Sequence, residues 1–323
     1  MLRNAVLLAP MSGVTDLPFR RLAYRLGAGL VVTEMVASED LVKGRPDVLR
    51  RAEGHDLSPY VVQLSGREAR WMAHGAQMAA DHGADIIDIN MGCPAKQVTR
   101  GQSGSALMRD LNHAVELIEA AVGAVSVPVT LKMRMGWDHQ SLNAPELAGR
   151  AEGAGVQMIT VHGRTRCQFF KGQADWDFIA SVKAAVSVPV IANGDLNDLS
   201  DLPGMLRASN ADGVMIGRGA YGKPWFPGQA AAFLATGEDP GAPPLARQRE
   251  IALQHYELTL AHYGLEHGVR TARKHLGWYV AGTIDSPSEQ RQWRRQLCQQ
   301  SDPNRVRKDL ANMFDQQMEK ATR

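Results

Sequence analysis

From residue 5 to about residue 220 the chain repeats one arrangement: a short apolar run rich in β-branched residues, a polar or glycine-containing turn, then apolar positions at helical spacing. The runs fall at residues 6–9, 30–33, 60–63, 86–90, 129–133, 158–162, 190–192 and 213–216. Helical spacing is clearest over 68–82, 111–125, 144–153 and 176–185. Alternation of this kind implies parallel strands joined by crossover helices, and eight such units close a barrel. The units also echo one another. The string Ala124-Val125-Ser126-Val127-Pro128-Val129 returns as Ala185-Val186-Ser187-Val188-Pro189-Val190, each time leaving a helix and entering a strand. The expected fold class is therefore α/β, a TIM (β/α)8 barrel.

The pattern changes after Leu234. A turn-rich stretch over 236–244 is followed by helical spacing at 245–263, 270–280, 288–298 and 303–320, with no strand signal. This predicts a barrel domain over 1–235, a linker over 236–244 and a C-terminal all-helical domain over 245–323. Net charge is only +2, but residues 245–323 carry 13 Lys and Arg against 9 Asp and Glu, a mild basic bias in the tail. A solvated helical surface produces such a bias as readily as a nucleic-acid partner does. No stretch reads as a membrane span, and the N-terminus lacks a secretory pattern, so a cytoplasmic location is expected. Cys93, Cys167 and Cys298 are far apart and the ten His show no ligand spacing, so neither disulfides nor a metal are expected.

Barrel enzymes carry their chemistry on the loops after each strand. Those loops hold Pro10, Met11 and Ser12 after the first run, Gln63 after the third, Asn90 and Cys93 after the fourth, and Lys132 and Arg134 after the fifth. His162, Arg164 and Arg166 follow the sixth, Asn193, Gly194 and Asp195 the seventh, and Gly217 and Arg218 the eighth. Taken singly, the glycines serve tight turns, His162 a core and Cys93 a small buried apolar site. Taken together, amides and cations with glycine-rich loops at the last two strands suit a phosphate-bearing ligand. Lys132 beside Gln63 and Asn90 suits a redox ring that gains negative charge on reduction, and no GxGxxG opens a βαβ unit with an acidic residue roughly 20 residues later, as a Rossmann dinucleotide site would need. FMN fits best.

The strings Leu8-Ala9-Pro10-Met11-Ser12-Gly13-Val14-Thr15-Asp16, Asp88-Ile89-Asn90-Met91-Gly92-Cys93-Pro94 and Leu131-Lys132-Met133-Arg134 resemble a known family, the tRNA-dihydrouridine synthases, most like the bacterial DusB branch. Val161-His162-Gly163-Arg164-Thr165-Arg166, Ile191-Ala192-Asn193-Gly194-Asp195 and Ile216-Gly217-Arg218-Gly219-Ala220 extend the resemblance to about residue 230. It implies an FMN-dependent barrel that, with a helical domain, grips tRNA and reduces the uridine C5=C6 bond in the D-loop, with NADPH as transient reductant. By that resemblance Pro10, Met11, Ser12, Gln63, Lys132, His162, Asn193, Gly194, Asp195, Gly217 and Arg218 hold FMN. Cys93 is the proton donor, and Asn90 lies beside flavin and uracil. Arg134, Arg164 and Arg166 are expected to meet the substrate at the mouth, and Arg270, Arg273 and Lys274, near Trp278 and Tyr279, to form an RNA-contact strip. No protein partner is implied. Two other readings share part of these features: a flavin barrel acting on a small molecule, and a non-catalytic RNA-binding regulator.

Overall fold

The computed structural model describes residues 2–322. Its strands are β1 (Val6–Leu8), β2 (Leu30–Val31), β3 (Val36–Ala37), β4 (Val61–Ser65), β5 (Ile86–Met91), β6 (Val129–Arg134), β7 (Met158–His162), β8 (Val190–Asn193) and β9 (Gly213–Ile216). They pair in parallel in the order β2-β1-β9-β8-β7-β6-β5-β4-β3. A parallel bridge between Val32 and Val61 joins the end of β2 to β4 and closes the ring. The second strand is in two pieces, of which the run at 30–33 marks only the first: β2 pairs with β1, and β3, beyond that run, pairs with β4 through Val36 and Leu64. Its ladder is interrupted at Thr33, whose Oγ1 accepts the Gln63 N–H at 2.9 Å, and at Glu34, whose carboxylate accepts the Gly13 N–H. With β2 and β3 taken as one strand, the closed array is the expected eight-stranded barrel.

Helices α1 (Leu17–Arg25), α2 (Ser38–Val42), α3 (Pro46–Ala52), α4 (Ala69–Asp81), α5 (Lys96–Arg100), α6 (Leu111–Ala124), α7 (Ala144–Gly153), α8 (Trp176–Ala184), α9 (Leu202–Ser209) and α10 (Phe226–Thr236) lie between and after the strands. Three begin at an Asp cap: Asp16, Asp110 and Asp175 accept the N–H of Phe19, His113 and Phe178. Side-chain alternation along the strands then decides the site. Ile87, Ile89, Leu131, Val161, Ala192 and Ile216 pack outward in the helix-facing core, whereas Leu7, Val61, Met158, Ile191 and Met215 form a separate inner cluster. The positions that alternate with the outward set toward the strand ends are Gln63, Asp88, Asn90, Thr130, Thr160 and Asn193, all buried polar residues. Apolar packing fills the bottom of the barrel, and hydrogen-bonding groups fill its C-terminal end.

Beyond α10, residues 238–244 form neither helix nor strand, and four helices follow: α11 (Leu245–Tyr263), α12 (Leu265–Thr283), α13 (Pro287–Cys298) and α14 (Pro303–Ala321). The spacing at 270–280 marks only the middle of α12, which begins directly after Gly264, because Gly268 packs closely on the Leu260 backbone and stays inside the helix. These helices share an apolar core that also takes in Leu22 of α1 and Trp225 of the barrel. At the seam Phe19 stacks on His275, with ring centroids 5.1 Å apart, and lies 5.3 Å from His255. Both imidazoles are held well below their ordinary pKa by burial and pack as neutral rings. Among the described residues no helix is long and apolar enough to cross a membrane, and no group of His, Cys, Asp or Glu is arranged to hold a metal.

Candidate active site

The strand ends converge on a cavity of about 450 Å³ at the C-terminal mouth of the barrel. Pro10, Met11, Ser12, Gln63, Lys132, His162, Asn193, Gly194, Asp195, Gly217 and Arg218 all line it, and so do Asn90, Cys93 and Arg134. Its size falls within the roughly 300–1,000 Å³ usual for cofactor and substrate sites. Met35, Phe170 and Tyr221 also line it and were not anticipated from the sequence. Phe170 is 52% exposed, with its ring 5.1 Å from the Arg218 guanidinium and 5.6 Å from that of Arg134, so an aromatic face stands at the opening over two cations.

One wall is a chain of amides. Gln63 Nε2 donates to Asp88 Oδ2 at 2.6 Å, Asn90 Nδ2 donates to Gln63 Oε1 at 2.8 Å, and Asn90 Oδ1 accepts the Cys93 N–H at 2.9 Å. Each amide keeps one N–H beyond these bonds. The Cys93 carbonyl is held in turn by the Ser105 N–H at 3.1 Å and Ser105 Oγ at 2.8 Å. Burial raises the Cys93 thiol above its ordinary pKa, against the Ala95 N–H and the charges of Arg134 and Lys132. At neutral pH it is a thiol, the state a proton donor requires.

The opposite wall is cationic. Lys132 Nζ donates to Asn193 Oδ1 at 3.1 Å, and Asn193 Nδ2 donates to the Met215 carbonyl at 2.7 Å, which fixes the ammonium at mid-barrel. Burial and then Arg134 push Lys132 down to about 8, and it remains charged at pH 7. His162 is held well below its ordinary range by burial and by Arg134, Lys132, Arg164 and Arg218. It is therefore a neutral ring among cations. Asp195 is the counter-charge: its Oδ1 accepts from Arg218 at 3.0 Å, and its Oδ2 accepts from Arg164 and from the Ala174 N–H. Burial opposes its ionisation, but Arg164, Ala174 and Arg218 outweigh that and depress its pKa. The turn before it needs Gly194, whose φ is +124° and where a Cβ would come 2.7 Å from Ala174 and 3.0 Å from His162.

The basic and aromatic residues expected to meet the substrate are engaged within the protein to different degrees. Arg164 is 1% exposed and donates to the carbonyls of Lys171 and Gly172 and to Asp195, so it organises the loop after β7 rather than meeting phosphate. Arg134 is buried, and its fork binds the carbonyls of Gly92, Thr165 and Phe169 at 2.8, 2.7 and 2.8 Å. Arg166 lies between the rings of Trp137 and Phe169, at 4.6 and 4.8 Å, with its Nη2 3.3 Å from Thr99. In the tail, Lys274 Nζ donates to the Gly13 carbonyl at 2.7 Å, joining α12 to the loop after β1. Tyr279 is buried beside His255, and one face of Trp278 is covered by Tyr221, with ring centroids 3.8 Å apart. Arg270 is exposed and pairs with Glu266, and Arg273 is half-buried.

A closed parallel barrel with a cationic, amide-lined cavity at its C-terminal mouth and a protonated thiol on the rim has the arrangement of a barrel enzyme that takes an anionic ligand. The dihydrouridine synthase family model matches residues 7–321, and the chain belongs to that family. A "Probable tRNA-dihydrouridine synthase" of Rhizobium leguminosarum bv. phaseoli is 58% identical over 278 residues, covering 86% of each chain. The "tRNA-dihydrouridine synthase B" of Pseudomonas putida is 48% identical over 281 residues, 87% of this chain and 83% of that one. Among solved structures, histamine dehydrogenase from Rhizobium sp. 4-9 shares the fold at 12% identity, with a TM-score of 0.58 over 98% of this chain and 63% of the other.

Proposed function

We propose that the protein is a tRNA-dihydrouridine synthase that uses FMN and NADPH to reduce a uridine of the tRNA D-loop. One observation carries the reading: a single cavity joins the Cys93 thiol, the Gln63–Asn90 amide wall and the Lys132 ammonium, with glycine turns at its β8 and β9 side. FMN bound in this cavity would supply the hydride chemistry, carrying reducing equivalents from NADPH to C6 of the uridine. The residues present fit that group. Lys132 keeps two N–H bonds for the edge of the ring where charge gathers, and the remaining N–H groups of Gln63 and Asn90 match carbonyl acceptors. Gly194, Gly217 and Arg218 suit the phosphate, since backbone N–H groups there are unobstructed by side chains and a guanidinium is close.

Cys93, whose thiol lines the same cavity, would give its proton to C5 of the base and regain one from solvent. The base must leave its stack to reach the thiol, at a cost of roughly a few kcal/mol, which edge hydrogen bonds and packing recover. Phe170 and Tyr221 offer the packing. Arg166, Arg270 and Arg273 are the cations we assign to the tRNA backbone, while Lys274 and Arg164 hold the protein itself. The test is to prereduce the yellow protein anaerobically and follow the return of flavin absorbance. Rapid oxidation by unmodified tRNA and none by free uracil supports the reading; the reverse order supports a small-molecule flavin enzyme and overturns it.

A further inference from the structure

We propose that Asp88 is a positioning residue that sets the sense of the Gln63 and Asn90 amides and, through them, the place of Cys93. This rests on the reading of Cys93 as proton donor. Asp88 touches neither the cavity nor the thiol. It lies inside the barrel on β5, 5% exposed, with Oδ1 accepting from Thr130 Oγ1 and Oδ2 from Gln63 Nε2, both at 2.6 Å.

A side-chain amide has nearly the same shape in its two senses, and nothing in Gln63 or Asn90 alone selects one. An ionised carboxylate only accepts. It therefore requires Gln63 to point its NH₂ inward and its Oε1 at Asn90. Asn90 must then give its NH₂ to Gln63 and leave Oδ1 for the N–H groups of Gly92 and Cys93, at 3.2 and 2.9 Å. Reversal of either amide would set donor against donor at the next link, ending on the backbone that carries the thiol. Every bond in the series points toward the same anion, so each polarises the next.

The state of Asp88 follows its surroundings. Burial raises its carboxyl to about 6, against the hydrogen bonds from Thr130 and Gln63 and the charge of Lys132. Lys132 on β6 is the charged side chain acting on it; Thr130 on β6 and Gln63 on β4 are neutral. The carboxylate is thus ionised at pH 7. Protonation as pH falls through about 6 turns one oxygen into a donor and removes the selection.

Hydrogen exchange of the full-length protein tests this without any turnover. Exchange is read by mass spectrometry in peptides containing the Gly92 and Cys93 amides, and corrected for the intrinsic pH dependence. In Asp88→Asn, whose amide can meet Gln63 as donor or acceptor and so no longer enforces the sense of the series from its inner end, these amides are expected to exchange about tenfold faster at pH 7 while β6 is unchanged. In the parent the corrected rate rises as pH falls through about 6, a step that Asp88→Asn lacks. Thr130→Val, which removes one stabilising donor from the carboxylate, moves the step to higher pH. If Asp88→Asn does not fold, the parent and Thr130→Val profiles carry the test alone. Exchange in Asp88→Asn within about twofold of the parent, or a flat parent profile, overturns the proposal. Because no substrate is present, a failure here leaves the tRNA reading standing, and a failure of that reading leaves this measurement unchanged.

Discussion

Replacement of Arg134 by Lys separates a structural clamp from a substrate ligand. The guanidinium spans three carbonyls, those of Gly92 beside the thiol and of Thr165 and Phe169 in the loop after β7. It ties the Cys93 loop to the loop that carries Phe170. A lysine keeps the charge but presents one compact ammonium, which in this geometry retains one of the three contacts. Two charge-assisted bonds at about 1.5–3 kcal/mol each are lost, partly offset because burial already disfavours the cation, whose pKa is lowered to about 10. A net loss of about 3 kcal/mol is expected, or about a hundredfold in the folding equilibrium. Urea unfolding of the full-length protein measures it, with the midpoint falling and the slope unchanged. The rate of tRNA reduction should fall as well, because both loops at the mouth loosen. Stability within about 1 kcal/mol of the parent, together with a raised KM for tRNA, would refute the clamp and return Arg134 to the substrate.

Cys93→Ala should keep its flavin and its reduction by NADPH while forming dihydrouridine at least about a hundredfold more slowly, in line with general-acid effects; undiminished formation removes the thiol from the mechanism. In the parent, burial lifts the thiol above its ordinary pKa, so the acid form persists through neutral pH and loss of the proton donor should lower the tRNA-dependent rate on the alkaline side, separate from the acid-side step near pH 6 set by Asp88; a decline centred near neutrality contradicts that. Paired substitution of Arg270 and Arg273 by Ala should weaken tRNA binding and lower the slope of log affinity against log salt by up to about 2. Lys274→Ala should leave that slope unchanged and lower the unfolding midpoint instead, because its ammonium holds the Gly13 carbonyl; a changed slope there shows that it meets the RNA.

The barrel was legible because short apolar runs and helically spaced segments alternate along the chain, the order that parallel strands and crossover helices require. The ends of those runs led directly to Gln63, Asn90, Lys132, His162 and Asn193, since a polar residue at the end of an apolar run on a parallel barrel faces the mouth. Asp88 went unnoticed in the same run: two residues earlier on the same face it lies one layer deeper, where a carboxylate organises rather than reacts. Sequence gives a cation its charge but not its direction. Arg134, Arg164 and Lys274 therefore read as substrate contacts, although nearby carbonyls and Asp195 hold them. Trp278 and Tyr279 read as stacking surfaces for the same reason, while the exposed ring at the mouth belongs to Phe170, past Arg166, the last residue of the loop after β7 to which the sequence pointed. The split of the second strand was hidden because its cause, the Thr33 hydroxyl accepting the Gln63 N–H, joins residues 30 apart.

The most direct measurement is nucleoside mass spectrometry of unmodified tRNA incubated with the protein, FMN and NADPH. The account expects a gain of two mass units at a D-loop uridine, dependent on NADPH and greatly reduced in Cys93→Ala. A flavin-loaded protein that consumes NADPH and leaves every uridine unchanged would contradict it.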